Sequence, residues 1–318
     1  MAEDFPTTLL TFEQRFATEE TCRAYLFARR WPEGFVCPRC AGRQAWPTGH
    51  HRWVCANCRH QTTVTAGMVF QDTRQPLRRW FRAMGHVTRQ KNGASALGRQ
   101  RVLGLGGDLT AWSWLHQLRR AMVRPGRDRL AGEVEVDETY VGGLAEGPRG
   151  RGSQKKALVA SAAEKDGQGS GRIRLARIAD ASAHSLRAFV PARVTPGRLV
   201  RTDRWDAYGG LPDWGYGHTA SVRRGQGPEA ATRQLPRVHR GASLLKRWLL
   251  GTHQGAVRPA HLDYYLDEFT FRFNRRTSPS RGKLFYRLVQ QAVEVAPAPY
   301  KRLRGGNPKP LGQVESIR

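Results

Sequence analysis

Four cysteines constrain this chain more than any other feature. Cys37 and Cys40 stand in FVCPRC, Cys55 and Cys58 in WVCANCRH, and 14 residues separate the two pairs. Each CxxC puts two thiolates on one tight knuckle, and two knuckles complete a tetrahedral soft-ligand set for a structural zinc ion. A redox dithiol needs one such pair, not two. The spacing is the signature of a zinc ribbon, which is expected within residues 1–70. The fifth cysteine, Cys22, reads as a small buried apolar residue. Five cysteines in 318 residues do not make a disulfide scaffold, and their pairing suits metal binding in a reducing compartment.

The charge points to the partner. Fifty-three Lys and Arg stand against 26 Asp and Glu, a formal net charge of +27 spread along the whole chain. Lys and Arg that neutralise phosphates release condensed counterions, so a surface of this kind is expected to bind nucleic acid. A preference for Arg over Lys can reflect a GC-rich gene, but that does not account for a twofold excess over acids. No stretch of about 18 apolar residues could span a bilayer, and no secretory leader is evident. The expectation is a cytoplasmic protein without a membrane partner.

Along the chain, residues 12–30 read as one helix before the ribbon, carrying Phe16, Tyr25, Leu26 and Phe27 and stopped by WPEG. A helical region follows at 71–124, with Leu77, Trp80, Phe81, Met84 and Val87 at three- and four-residue intervals. After a break at Asn92 and Gly93 come a short helix, a Gly-rich turn and a longer helix. Asp108 is the expected N-cap of that helix, with Leu109, Trp112, Leu115 and Leu118 inward and Arg119 and Arg120 outward toward DNA. Helix, Gly turn, helix suits either DNA reading or a plain hairpin.

From residue 130 the period changes to that of strands. GEVEVDETYVGG, KKALVASAAE and GRIRLARIAD read as three strands, Ser182 to Arg193 as a helix and GRLVRTD as a fourth strand. That order opens an RNase-H-like fold, with Asp137 on the first strand and Asp203 closing the fourth. Singly, such strand-end aspartates are ordinary surface residues. As a pair on neighbouring strands they can hold the divalent ions of two-metal phosphoryl chemistry. The fold class is therefore mixed α/β: ribbon, helical DNA-binding region, RNase-H-like core at 130–292 and a basic tail at 293–318, without order from Ala296.

The double CxxC, EVDETYVGG, TDRWDAY, HRGASLLKRWLLGTHQGAV and HLDYYLDEFTFRFNRR together resemble the zinc-ribbon DDE transposases of bacterial insertion sequences, in the ISXO-like subgroup. The likeness runs from the ribbon to about Gln291. It implies DNA transposition by metal-dependent strand cleavage and strand transfer, with Mg²⁺ or Mn²⁺ as catalytic ion and double-stranded element ends and target DNA as substrates. It also implies a nucleoid-associated homodimer or larger assembly. In the family a third metal ligand follows the second aspartate after about 35 residues, and a lysine lies seven beyond it. In this chain those positions are His239 and Lys246, so Asp137, Asp203 and His239 are the implied ligands and Lys246, with Arg247 beside it, the implied DNA contact.

Most DDE enzymes carry glutamate at the third position. Imidazole serves Mn²⁺ better than Mg²⁺. The fallback ligand is Glu268, on a helix whose apolar stripe is Leu262, Leu266, Phe269 and Phe273; the plain reading of Glu268 is a solvated helix residue. The rival reading of the whole chain is a zinc-ribbon regulator or decayed transposase that binds DNA without cutting. A nuclease acting on RNA with the same core is a third.

Overall fold

The computed structural model describes residues 3–124, 126–142, 156–221, 234–255 and 257–305. Two compact units emerge. One combines Met1–Pro125 with Thr277–Arg304, and the other is built on Gly126–Arg276.

The first unit holds α1 (Leu9–Arg15), α2 (Glu19–Arg30), strands β1 (Ala45–Thr48), β2 (Arg52–Cys55) and β3 (Gln61–Thr63), then α3 (Leu77–Arg89), α4 (Ala96–Leu103) and α5 (Asp108–Ala121). Two later helices, Arg281–Ala292 and Tyr300–Arg304, return to it. The single helix expected over 12–30 is two. Thr18 ends the continuity because its side chain accepts from Thr21 N–H and starts a fresh helix with Glu19 and Glu20 in the first turn. The break folds Phe12 and Phe16 into an aromatic core, with Phe16 4.9 Å from Phe81 and 5.5 Å from Phe285 between ring centroids. Edge-on and tilted contacts of this kind contribute beyond the area they bury.

Phe285 lies on the helix Arg281–Ala292, which the period-based reading assigned to the 130–292 core. Its stripe of Leu284, Phe285, Leu288 and Val289 is fully buried, and it packs mainly on α3. The core therefore ends near residue 276, not 292. The tail is also more ordered than composition suggests: Ala298 and Leu303 are buried and Tyr300–Arg304 is helical. The rest of the expected tail, 306–318, lies outside the described residues.

Helix α5 departs most from its expected facing. Its cap is Gly107, and Asp108 is the first helical residue. Trp114 rather than Trp112 points to the core, stacked 3.8 Å from Trp80, while Leu109 is exposed. Arg119 and Arg120, expected outward, are buried. The cause is packing on more than one side: α3, α4 and both C-terminal helices meet α5, and Gln117 reaches the Ala298 carbonyl.

The second unit contains β4 (Val134–Val141), β5 (Ala157–Asp166), β6 (Gly169–Ile178), α6 (Ala183–Arg193), β7 (Leu199–Thr202), β8 (Gly217–Ala220), α7 (Pro236–His253) and α8 (Leu262–Phe273). The sheet order is β6-β5-β4-β7-β8. The first three strands are antiparallel, and β7 and β8 run parallel to β4. This is the RNase-H-like arrangement. The alternation of β4 divides its side chains between two layers. Val134 and Val136 join Leu186, Phe189 and Val200 beneath α6, while Val141, Val159, Ile173 and Leu175 join Leu245, Leu249 and Phe269 beneath α7 and α8. The outer edge of β6 is closed by Asn274, whose side chain takes Ile173 N–H and donates to Ile173 C=O. Such a cover removes an open pairing edge.

Candidate metal centres

In the first unit the two knuckles repeat one hydrogen-bond pattern. Cys37 N–H donates to Gly42 C=O and Ala41 N–H to Cys37 C=O; Cys55 N–H donates to His60 C=O and Arg59 N–H to Cys55 C=O. Ala41 and Arg59 both sit at φ 58°, a left-handed conformation uncommon outside glycine. The four Sγ atoms lie within 4.8 Å of one another, with Cys37 3.7 Å from Cys58 and Cys40 3.5 Å from Cys55. Backbone N–H groups of Cys58 and Asn57 draw the Cys55 thiol down to about 7, toward the thiolate that metals take. A Cβ on Gly42 would stand 3.3 Å from Cys55 Sγ, so glycine keeps the backbone close to the cluster. Four convergent thiols on paired knuckles fit one structural zinc ion. Cys22 is buried elsewhere in this unit, and burial pushes its thiol up to about 12.

In the second unit the candidate centre starts from the register of β4 on β7. Val134 pairs with Val200 and Glu135 with Arg201, an offset that brings Asp203 level with Asp137. Val134, Val136 and Val200 belong to the α6 layer, so Asp137 faces away from α6, and Asp203 continues the odd positions of β7 one residue past its end. Asp137 is the fourth of eight residues of its strand rather than a strand end. Asp203 follows directly on β7, and its Oδ1 accepts from Trp205 N–H, which fixes the turn.

Helix α7 lies over this face, and a residue without a sequence signal of its own anchors it. Glu135 is buried and accepts from Arg237 N–H at 2.7 Å, Val238 N–H at 3.0 Å and the Arg237 guanidinium at 2.7 Å. The carboxylate therefore accepts from the helix N-terminus, where Pro236 has no N–H and needs no acceptor. Arg237 Nε also holds Gly169 C=O, which ties the helix to the β5–β6 hairpin. Two residues along each element, His239 Nε2 meets Asp137 Oδ2 at 2.9 Å.

Lys246 lies on the same side of α7, two turns on. Desolvation depresses its ammonium, nearby Lys156 adds to the depression and Asp137 partly offsets it. Arg247 is exposed beside it.

On the opposite layer Tyr208 is buried and donates to Glu138. Burial, Glu138 and the nearby Asp137 and Asp203 all raise its phenol. Glu138 and Tyr208 lie in motifs that sequence reading singled out, but only the fold pairs them. Glu268 is not a solvated residue: it is fully buried, with the Arg272 guanidinium 2.9 Å away. Asp137 and His239 thus meet, and the strand register carries Asp203 level with Asp137. Among the described residues, however, the four cysteines alone have ligand atoms mutually within 4.8 Å.

Residues 129–274 match the ISXO2-like transposase domain, and residues 17–61 match the transposase zinc-ribbon domain. An uncharacterised protein in the transposable element ISH50 of Halobacterium salinarum is 26% identical over 289 residues, covering 85% of this chain and 95% of that protein. The chain thus carries, at residues 17–61 and 129–274, matches to the two domains of ISXO2-like, zinc-ribbon transposases. The second unit, ending at Arg276, agrees with the end of the matched domain. No helix among the described residues is long and apolar enough to cross a membrane.

Proposed function

We propose that the chain is a metal-dependent DNA transposase that cleaves insertion-sequence ends and joins them to target DNA. What supports this reading is the β4–β7 register, by which Asp203 falls level with Asp137, together with the contact of Asp137 with His239. Two carboxylates and an imidazole are a donor set suited to Mn²⁺, and with a weaker third ligand to Mg²⁺. Divalent ions, when bound, lend Lewis acidity to the scissile phosphate and ease deprotonation of the attacking oxygen.

Asp137 and Asp203 would hold the cations, His239 would complete their ligand set, and Lys246 would pair with the backbone next to the scissile phosphate. In the first step water attacks that phosphodiester, the P–O3′ bond breaks, and a 3′ hydroxyl and a 5′ phosphate result. In the second the freed 3′ hydroxyl attacks a target phosphodiester in line, forming a new P–O bond and releasing the target's 3′ hydroxyl. No covalent bond to the protein is made. The double-stranded substrate fits a chain of net charge +27. Joining two ends to one target calls for at least two copies of the chain.

The test is Asp137→Ala and Asp203→Ala, assayed on the element's flanking DNA with Mg²⁺ or Mn²⁺ by mapping released 3′ ends. Each variant is expected to lose cleavage and joining by about a thousandfold or more while binding DNA as the parent does. A variant that still releases 3′ ends removes these carboxylates from the chemistry. Parent protein that shifts DNA without nicking it is a binder only.

A further inference from the structure

A cleft of about 650 Å³ opens in the first unit between the tip of the ribbon, the flank of α2 and the start of α3. His50 and His51 reach it from the ribbon, Arg23 from α2, and Arg74, Arg78 and Arg79 from the approach to α3 and its first turn. One carboxylate, Glu19, also lines it. That carboxylate is already engaged: it accepts from Leu77 N–H at 2.9 Å and Arg78 N–H at 3.1 Å, and pairs with Arg23 at 3.2 Å. It closes the α3 N-terminus, so the helix end is not the attraction for an anion. Four guanidiniums facing one committed carboxylate leave the cleft positive.

The cleft also has a built frame. Arg78 is held by the Ala17 carbonyl at 2.9 Å and Arg79 by Gln75 at 2.8 Å, which fixes their forks beside the exposed Arg74. His50 and His51 both adopt left-handed backbone, at φ 59° and 57°, and also line the cleft. Planar guanidiniums suit the paired oxygens of a phosphodiester. The long arginines of α5, where DNA contact was expected, are buried.

We propose that this cleft is where the first unit grips the sugar-phosphate backbone of duplex DNA, with Arg74 and Arg79 each neutralising a phosphate. This rests on the DNA-transposase reading and gives its N-terminal unit a specific contact surface.

The experiment measures fluorescence anisotropy of full-length, zinc-replete protein with a labelled 30-base-pair duplex of random sequence, from 50 to 200 mM salt. Arg74→Ala/Arg79→Ala is expected to bind roughly tenfold more weakly at the low-salt end and to lower the slope of log affinity against log salt by about 1.8, two phosphates' worth. Arg74→Lys/Arg79→Lys should restore most of the slope because the charge returns. Lys301→Ala/Arg302→Ala, which removes two charges from the last helix, is expected to keep the parent slope. Zinc content and thermal melting confirm that each variant is folded.

A folded Arg74→Ala/Arg79→Ala protein with the parent slope, or one reduced no more than by the Lys301/Arg302 control, overturns the cleft while leaving the transposase reading standing. Parent protein without affinity for the duplex sinks both. Displacement of the duplex by polyglutamate as readily as by unlabelled DNA makes the cleft a site for acidic peptide and overturns the proposal.

Discussion

His239 is the side chain on which this site departs from the common three-carboxylate pattern. An imidazole beside Asp137 adds no negative charge of its own, so it offers a cation less than a glutamate would, and it is a softer donor than Mg²⁺ prefers. His239→Glu is therefore expected to shift the ratio of cleavage rates in Mg²⁺ and Mn²⁺ toward Mg²⁺, by on the order of tenfold or more, since even partners of a metal ligand tune its site by that much. Rates of 3′-end release in each metal measure it, and an unchanged ratio takes His239 out of the ligand set. The spacing from Asp203 to His239 is readable in the sequence. That Glu268 is buried against Arg272 is not, because a charge off an apolar stripe looks the same whether it meets water or a buried guanidinium.

Strand β4 and helix α7 act as one piece through Glu135. Glu135→Ala would leave the Arg237 guanidinium buried without its counter-charge and two helix N–H groups without an acceptor. The expected cost is about 3–5 kcal/mol, the range for breaking a buried pair from one side. Replacing both partners, Glu135→Leu with Arg237→Met, should recover much of it. Urea midpoints for the single and double variants decide this, and equal losses in both would mean that the pair does not couple the two elements.

The strands themselves were legible. Period-two alternation located β4, β5 and β6 to within a few residues, and the helix read from Ser182 to Arg193 is α6. Strand β8, with the sequence GHTA, was missed because it is short and mostly exposed, with too few apolar positions to show a period. Glu135 was missed because in VEVDET acids alternate with valines, and the pattern does not tell a solvated acid from one that caps a helix. The outward reading of Arg119 and Arg120 assumed that α5 is covered on a single face. The helices that cover its other faces lie more than 150 residues away in sequence, beyond the reach of any local pattern.

The two units have different sources of cohesion. The second rests on a sheet with an apolar layer on either side, whereas the ribbon of the first has three strands of three or four residues and a cluster of thiols. Zinc in such a site contributes on the order of 10 kcal/mol to the structure around it. Chelation is therefore expected to abolish amide-exchange protection over residues 45–63 while leaving that of β4 to β6 nearly unchanged. Protection in the ribbon that survives metal removal would show that its aromatic contacts suffice. The unit boundaries carry a further consequence. Because Phe285 joins Phe12, Phe16 and Phe81 from beyond the sheet, the chain leaves the helical unit near residue 126 and re-enters it near 277. A fragment stopped at 276 strips a ring from that cluster. Exchange of the sheet unit between relatives is thus an internal graft with two junctions, not the replacement of a C-terminal half.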